Sequence, residues 1–215
     1  MKKIIFTLIG IISCITVFAQ ETISETWKAM PDSIIPYFNT QLRAELIDNY
    51  KMSNNTQTKN LLEGYSSVKV MTDRFLDIKL NKSVDLQLML LPASDSTNII
   101  CMVKSYGSPV LESKIYFYST SWQKLSDNFS LPNANDFKQM EQLLICKPDT
   151  MPVEDFYEIK KLIEPVMISA TLQENNDRQS ITFSVNTPLL NTDEKLRLDR
   201  IKRQKTFKWN GKIFK

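Results

Sequence analysis

The alternation of apolar and polar residues changes period several times along this chain, and those changes divide it into elements. In "TISETWKAM", Ile23, Trp27 and Met30 fall on one face of a short helix. Pro31 disfavours helical geometry at Met30, which suits a helix end. Asp32 and Ser33 can form a turn or cap. Pro36 fits the first turn of a second helix, where its missing N–H costs nothing. From there Phe38, Leu42, Leu46 and Tyr50 run at four-residue spacing, and "KMSNNTQTKN" (51–60) reads as a polar loop. The period then drops to two. Val68 and Val70 are followed by Leu76, Ile78 and Leu80, by Val84, Leu86, Leu88 and Leu90, by Ile99, Cys101 and Val103, and by Ile115 and Phe117. Short loops ("NKS", "PASDST", "YGSP") join these runs, which predicts an antiparallel meander.

After Trp122 the chain turns polar, and Asp136 is placed to cap a short helix through Leu144. "KPDTMPVEDFYEIKKLIEP" carries clearer helix signals: Pro152 near the start, Glu154 and Asp155 in the first turn, lysines late, and Pro165 beyond the end. Val166–Leu172 and Ile181–Val185 alternate again and flank a polar loop, which predicts a hairpin. A helix is expected after Asn191 or Thr192, and Asn210-Gly211 is a two-residue hairpin signal near the C-terminus. The expected class is α+β, with antiparallel meander sheets packed by helices. The expected divisions are residues 1–20, 21–125 and 126–215. The last two are read either as two similar helix-plus-sheet subdomains or as one continuous domain.

The first twenty residues stand apart. "MKKIIFTLIGIISCITVFAQ" has a basic start, an apolar run from Ile4 to Phe18, and a cleavage-like Val17-Phe18-Ala19. It reads as a secretory signal peptide, and the run is short for a membrane span. "IISC" also fits a lipoprotein box that would lipidate Cys14, but the apolar "ITVF" after it is unlike the usual polar tether. The expected location is therefore periplasmic or extracellular, with a lipid-anchored form the lesser alternative. Losing Lys2 and Lys3 with the leader takes the formal charge from +3 to +1, which favours no class of partner. No later run is apolar and long enough to span a membrane.

Composition narrows the chemistry further. The chain has no histidine, which excludes Ser-His-Asp and Cys-His catalysis and every imidazole metal site. Beyond the leader the glycines are Gly64, Gly107 and Gly211, too scattered for a phosphate cradle. Cys101 and Cys146 could pair in an oxidising compartment, although "IICMV" makes Cys101 equally readable as a core residue. No catalytic residue, metal site or cofactor is expected. Glu154, Asp155 and Glu158 cluster as an acid pair for glycan chemistry would, but acids in a first helical turn also simply favour the helix dipole.

Two surfaces are candidates for binding. Tyr116, Tyr118 and Trp122 lie on the face opposite Ile115 and Phe117, and form either an exposed aromatic platform or a second layer under helices. Arg200, Lys202, Arg203, Lys205 and Lys208 belong to a basic tail that could meet an anionic lipid or glycan. Alternatively they are a solvated helix face and lysines protecting an edge strand.

The segments "WKAMPDSIIPYFN", "LRAELIDNY", "LQLMLLPASDSTNIICMVKSYGSPVLESKIYFYSTSW" and "FKWNGKIF", in that order, resemble a family of uncharacterised secreted proteins from Bacteroidales bacteria, known only as a domain of unknown function. The resemblance runs from about Trp27 to the C-terminus. It implies export and a family-wide fold, and carries no activity or site residue. The expected function is an exported, non-enzymatic cell-envelope protein that acts by binding a protein or envelope component, with an envelope protein or glycan as candidate partner and no nucleic acid. A periplasmic carboxylate hydrolase and a carbohydrate-binding module are the alternatives. Oligomeric state stays open.

Overall fold

The computed structural model describes residues 22–53, 57–95, 97–126, 137–175, 178–187 and 189–215. The leader, Cys14 and the expected cap at Asp136 lie outside them. The described part is α+β with two antiparallel sheets. Helix α1 (Ile23–Ala29) is capped by Thr22, whose side chain accepts from the Glu25 N–H, and it ends at Met30 ahead of Pro31. A 3₁₀ turn follows (Asp32–Ile34), then α2 (Thr40–Ser53). The second helix thus begins four residues after Pro36. Asn39 sets its start, its side chain accepting from the Leu42 N–H at 3.0 Å, and Pro36 stays in the preceding turn.

The larger sheet has the order β1 (Gln57–Lys59), β2 (Tyr65–Met71), β3 (Phe75–Asn81), β4 (Val84–Pro92), β5 (Asn98–Tyr106), β6 (Glu112–Ser119), each antiparallel to the next. The meander is as the alternation predicts, with two corrections. The segment expected as a loop over 51–60 holds the end of α2 and the short edge strand β1. Val68 and Val70 do not share a face, because a bulge shifts the register between them. Val68 is 3% exposed and Val70 46%.

The centre of this sheet is buried on both faces. Leu76, Ile78, Leu80, Leu86, Leu88, Leu90, Ile100 and Met102 point to one side, where Ile23, Trp27, Met30, Phe38, Leu46 and Ile47 of the N-terminal helical layer cover them. Phe75, Met89, Leu91, Cys101, Val103 and Phe117 point to the other, into a core completed by the C-terminal half. Two-sided burial explains why "LQLMLL" and "IICMV" are nearly unbroken apolar runs.

The C-terminal half comprises α3 (Phe137–Leu144), α4 (Val153–Lys161), β7 (Met167–Asn175), β8 (Arg178–Asn186), α5 (Thr192–Asp199) and β9 (Gln204–Lys208), with sheet order β7-β8-β9. Asn191 and Glu194 form a reciprocal capping box on α5. The C-terminal hairpin forms, but not as a two-residue turn. Trp209 faces Phe214 across a four-residue loop, and the Asn210 side chain accepts from the Lys212 and Ile213 N–H groups. Gly211 sits at φ 93°, a conformation that side chains oppose, and its carbonyl accepts from the Ser94 N–H at 3.1 Å.

The two sheets meet through side chains. The Ala170 N–H on the edge of β7 donates to Ser113 Oγ at 3.0 Å, and the Leu172 N–H donates to Gln87 Oε1 at 2.8 Å. Thr72 reaches Glu174 at 2.8 Å. Edge amides that would otherwise be buried unpaired are thereby satisfied.

Candidate functional site

The two-proline stretch "KAMPDSIIPYF" (28–38) is held by a residue the pattern of apolar positions does not reveal. Arg43 is a fully buried side chain on α2. Its guanidinium donates to the Phe38 carbonyl at 2.8 Å and to the Met30 carbonyl, and it pairs with Asp32 at 2.9 Å. Trp27 closes the arrangement by donating its indole N–H to the Arg43 carbonyl at 3.1 Å. Burial lowers the Arg43 pKa, and the Asp32 contact opposes that. Asp32 is held below the usual carboxylate range, first by its hydrogen bond from Thr40. A planar fork reaching several carbonyls is what arginine supplies and lysine does not. The site is a structural clasp that fixes the two-proline turn.

The aromatic face is covered rather than exposed. Tyr118 is 8% exposed and Trp122 7%. The Trp122 indole donates to the Thr26 carbonyl of α1 at 3.1 Å, and Tyr118 packs on Trp122 with centroids 5.3 Å apart. An aromatic platform through all three rings therefore does not exist, because the N-terminal helices occupy that face. Tyr116 is only half-buried, and it leads to a different cluster.

That cluster lies at the end of the six-stranded sheet. Tyr37, from the two-proline turn, and Tyr106, from the end of β5, come near Tyr116 and Tyr118 of β6. Burial, then the neighbouring phenols of Tyr116 and Tyr37, push the Tyr106 pKa up to about 12. Tyr106 is nonetheless 37% exposed. Lysines stand among the rings: the Lys104 ammonium lies 5.5 Å from the Tyr106 centroid, and that of Lys124 lies 5.9 Å from Tyr116. Lys114 pairs in register with Lys104. This tyrosine–lysine patch is a partly open surface of hydroxyl donors, aromatic faces and cations. Sequence reading reached Tyr116 and Tyr118 but missed Tyr37, Lys104 and Tyr106. The available signal was the hairpin register, which carries the Met102, Lys104, Tyr106 face of β5 alongside the Tyr116, Tyr118 face of β6.

The basic tail is not gathered into one site. Lys202 pairs with Asp199 at 3.1 Å, and Arg203 donates to the Arg200 and Lys202 carbonyls. Lys205 and Lys208, three apart on β9, project from opposite faces of the strand, with Lys205 near the Phe207 ring. Arg200 is exposed at the α5 terminus. Cys101 and Cys146 are free thiols, not a disulfide. Cys101 is wholly buried within the core, where burial pushes its pKa up. The Cys146 thiol donates to the Gln142 carbonyl at 3.3 Å, back along α3.

Several of the carboxylates are paired with cations. Asp85 sits 2.9 Å from Lys69 and 3.5 Å from Lys79, and Asp77 sits 3.7 Å from Lys69. On α4, Glu158 pairs with Lys161, which lowers its pKa, while Glu154 and Asp155 are exposed. A cavity of about 340 Å³ between α3 and α4 is lined by Ile145, Cys146, Phe156 and Tyr157 and by the Glu141–Lys160 ion pair at 2.5 Å. Among the described residues no group of three acids or thiols is arranged to hold a metal ion, and no helix is long and apolar enough to cross a membrane.

Residues 14–214 match the family model described as "Protein of unknown function (DUF3256)". A solved domain of an uncharacterized protein from Porphyromonas gingivalis W83 has a similar structure. The TM-score is 0.66 at 23% identity, over 89% of this chain and 96% of that one, a likeness of fold alone. None of the curated proteins compared with the chain matches it.

Proposed function

Because the chain belongs to the DUF3256 family, whose function is unknown, kinship brings it no activity, and we propose its role from its surface: an exported cell-envelope protein that acts by binding, through the tyrosine–lysine patch. The observation that carries this reading is the convergence of Tyr37, Tyr106 and Tyr116 with Lys104 and Lys114 on a surface left partly open. Tyrosines combine rigid contact area with a hydrogen-bonding tip, which suits recognition. The leader-like first twenty residues support export. The hydrolase alternative needs one carboxyl raised beside another. Here Asp77 and Asp85 share a lysine, and among the described residues the displaced carboxyls Asp32, Glu63, Asp95 and Glu158 are shifted downward.

The test places a photo-crosslinking residue at position 106 or 116, with position 171 on β7 as control, in the protein expressed in its own host. The expected result is a crosslinked envelope component from the patch positions and not from the control, on a chain beginning near Gln20. Patch positions that behave like the control would overturn the assignment of the surface. A chain retaining its first twenty residues in the cytoplasm would overturn export.

A further inference from the structure

Lys104 and Lys114 stand directly opposite each other on β5 and β6. By strand alternation both project from the face that carries Tyr106 and Tyr116. Like charges in that relation oppose folding. Lys104 is half-buried, and burial lowers its pKa. Other lysines of the same sheet are compensated: Lys69 and Lys79 both sit on Asp85. Among the described residues, neither Lys104 nor Lys114 has a carboxylate in ion-pairing contact. Glu112 shares their face but lies opposite Tyr106. Lys124 brings a further cation against the Tyr116 ring. The fold thus maintains an uncompensated pair of cations beside phenols that can donate O–H groups and present ring faces.

Taking the patch as the binding surface proposed above, we infer that its ligand is an acidic saccharide. An oxyanion group sits between the Lys104 and Lys114 ammoniums, and the sugar ring lies against Tyr106 and Tyr116. The anion supplies the countercharge the pair lacks. The phenols offer apolar faces to the C–H side of a sugar and hydroxyl donors to its oxygens. Lysines recognise charge rather than the planar fork geometry that arginine reads, so carboxylate and phosphate are both accommodated.

The inference is tested with the full mature chain by calorimetry and by NMR. The probes are tetragalacturonate, its neutral methyl ester, and glucose 1-phosphate. Tetragalacturonate binding alone points to a uronate source, and comparable glucose 1-phosphate binding to a phosphorylated sugar. The acidic probe is expected to bind at least tenfold more tightly than the ester, about 1.4 kcal/mol. Affinity should fall with added salt and fall at least tenfold in the variant carrying Lys104→Gln and Lys114→Gln. That variant should melt no lower than the parent, since it removes a repulsion. Lys114→Gln alone, at an exposed position, should weaken binding without touching the fold. Equal binding of acid and ester, unchanged affinity in the lysine variants, or no binding of either acidic probe at millimolar concentration would each overturn the inference. If the patch still crosslinks to an envelope protein, the binding surface survives and the acidic saccharide does not. If acidic probes bind but shift resonances away from the patch, the surface assignment itself fails.

Discussion

Arg43 shows how much one side chain can organise. Its carbonyl and carboxylate contacts hold Met30, Asp32 and Phe38 together, so that two prolines bracket a fixed turn rather than a hinge. Replacing it with Met takes the guanidinium donor from the Met30 and Phe38 carbonyls, while Asp32 stays exposed. The expected loss is about 1–3 kcal/mol of unfolding free energy, the usual cost of stranding buried hydrogen-bond acceptors, measured by urea denaturation. Wild-type stability in the variant would show that the clasp is redundant. Tyr106 makes a second prediction. Its folded pKa of about 12 lies above the ordinary 10.0, so the folded state holds its proton longer than the unfolded one. The stabilisation is complete below pH 10 and is lost as pH rises through about 12. Ultraviolet titration of the phenolate should show a late tyrosine that is missing from Tyr106→Phe. A late component that persists in the variant would assign it elsewhere.

At the scale of elements, the joint between the sheets rests on Ser113 and Gln87, whose side chains satisfy amides on the edge of β7. Exchanging Gln87 for Ala strands the Leu172 N–H and should cost about 1–3 kcal/mol. Hydrogen exchange at Leu172 should accelerate more than exchange in the middle of β4. Uniform acceleration would mean that the joint opens only with global unfolding. The elements themselves were largely legible. Helix α1, strands β3 to β8 and α5 follow from apolar period, proline position and capping residues. The failures have local causes. The bulge after Val68 reverses one face, Asn39 starts α2 later than Pro36 suggests, and β1 is too short and polar to announce itself. The joint was not legible, because it depends on which edge amides come to lie under which polar side chains.

On the scale of the whole molecule, one sheet serves two cores. Its two faces carry alternate residues of the same strands, so Leu88 belongs with Trp27 while Met89 belongs with Phe183 and Phe207. A chain ending at residue 126 would expose Phe75, Met89, Leu91, Cys101 and Phe117 on one face. Such a fragment is expected to aggregate, or to bind a hydrophobic dye strongly, when expressed alone. A monomeric, cooperatively melting fragment would show that the N-terminal layer suffices by itself.

The class, the meander and the chemistry excluded by an absence of histidine were determined by sequence alone, because they depend on composition and on periods of two and four residues. The coverage of the aromatic face, the free state of the two thiols and the gathering of Tyr37 with Tyr106 and Lys104 were decided only by the tertiary structure. Each of these depends on distance between residues far apart in the chain. Local pattern says which side of a strand a residue takes. It does not say what packs there, and at the end of this sheet that difference separates a buried ring from a binding surface.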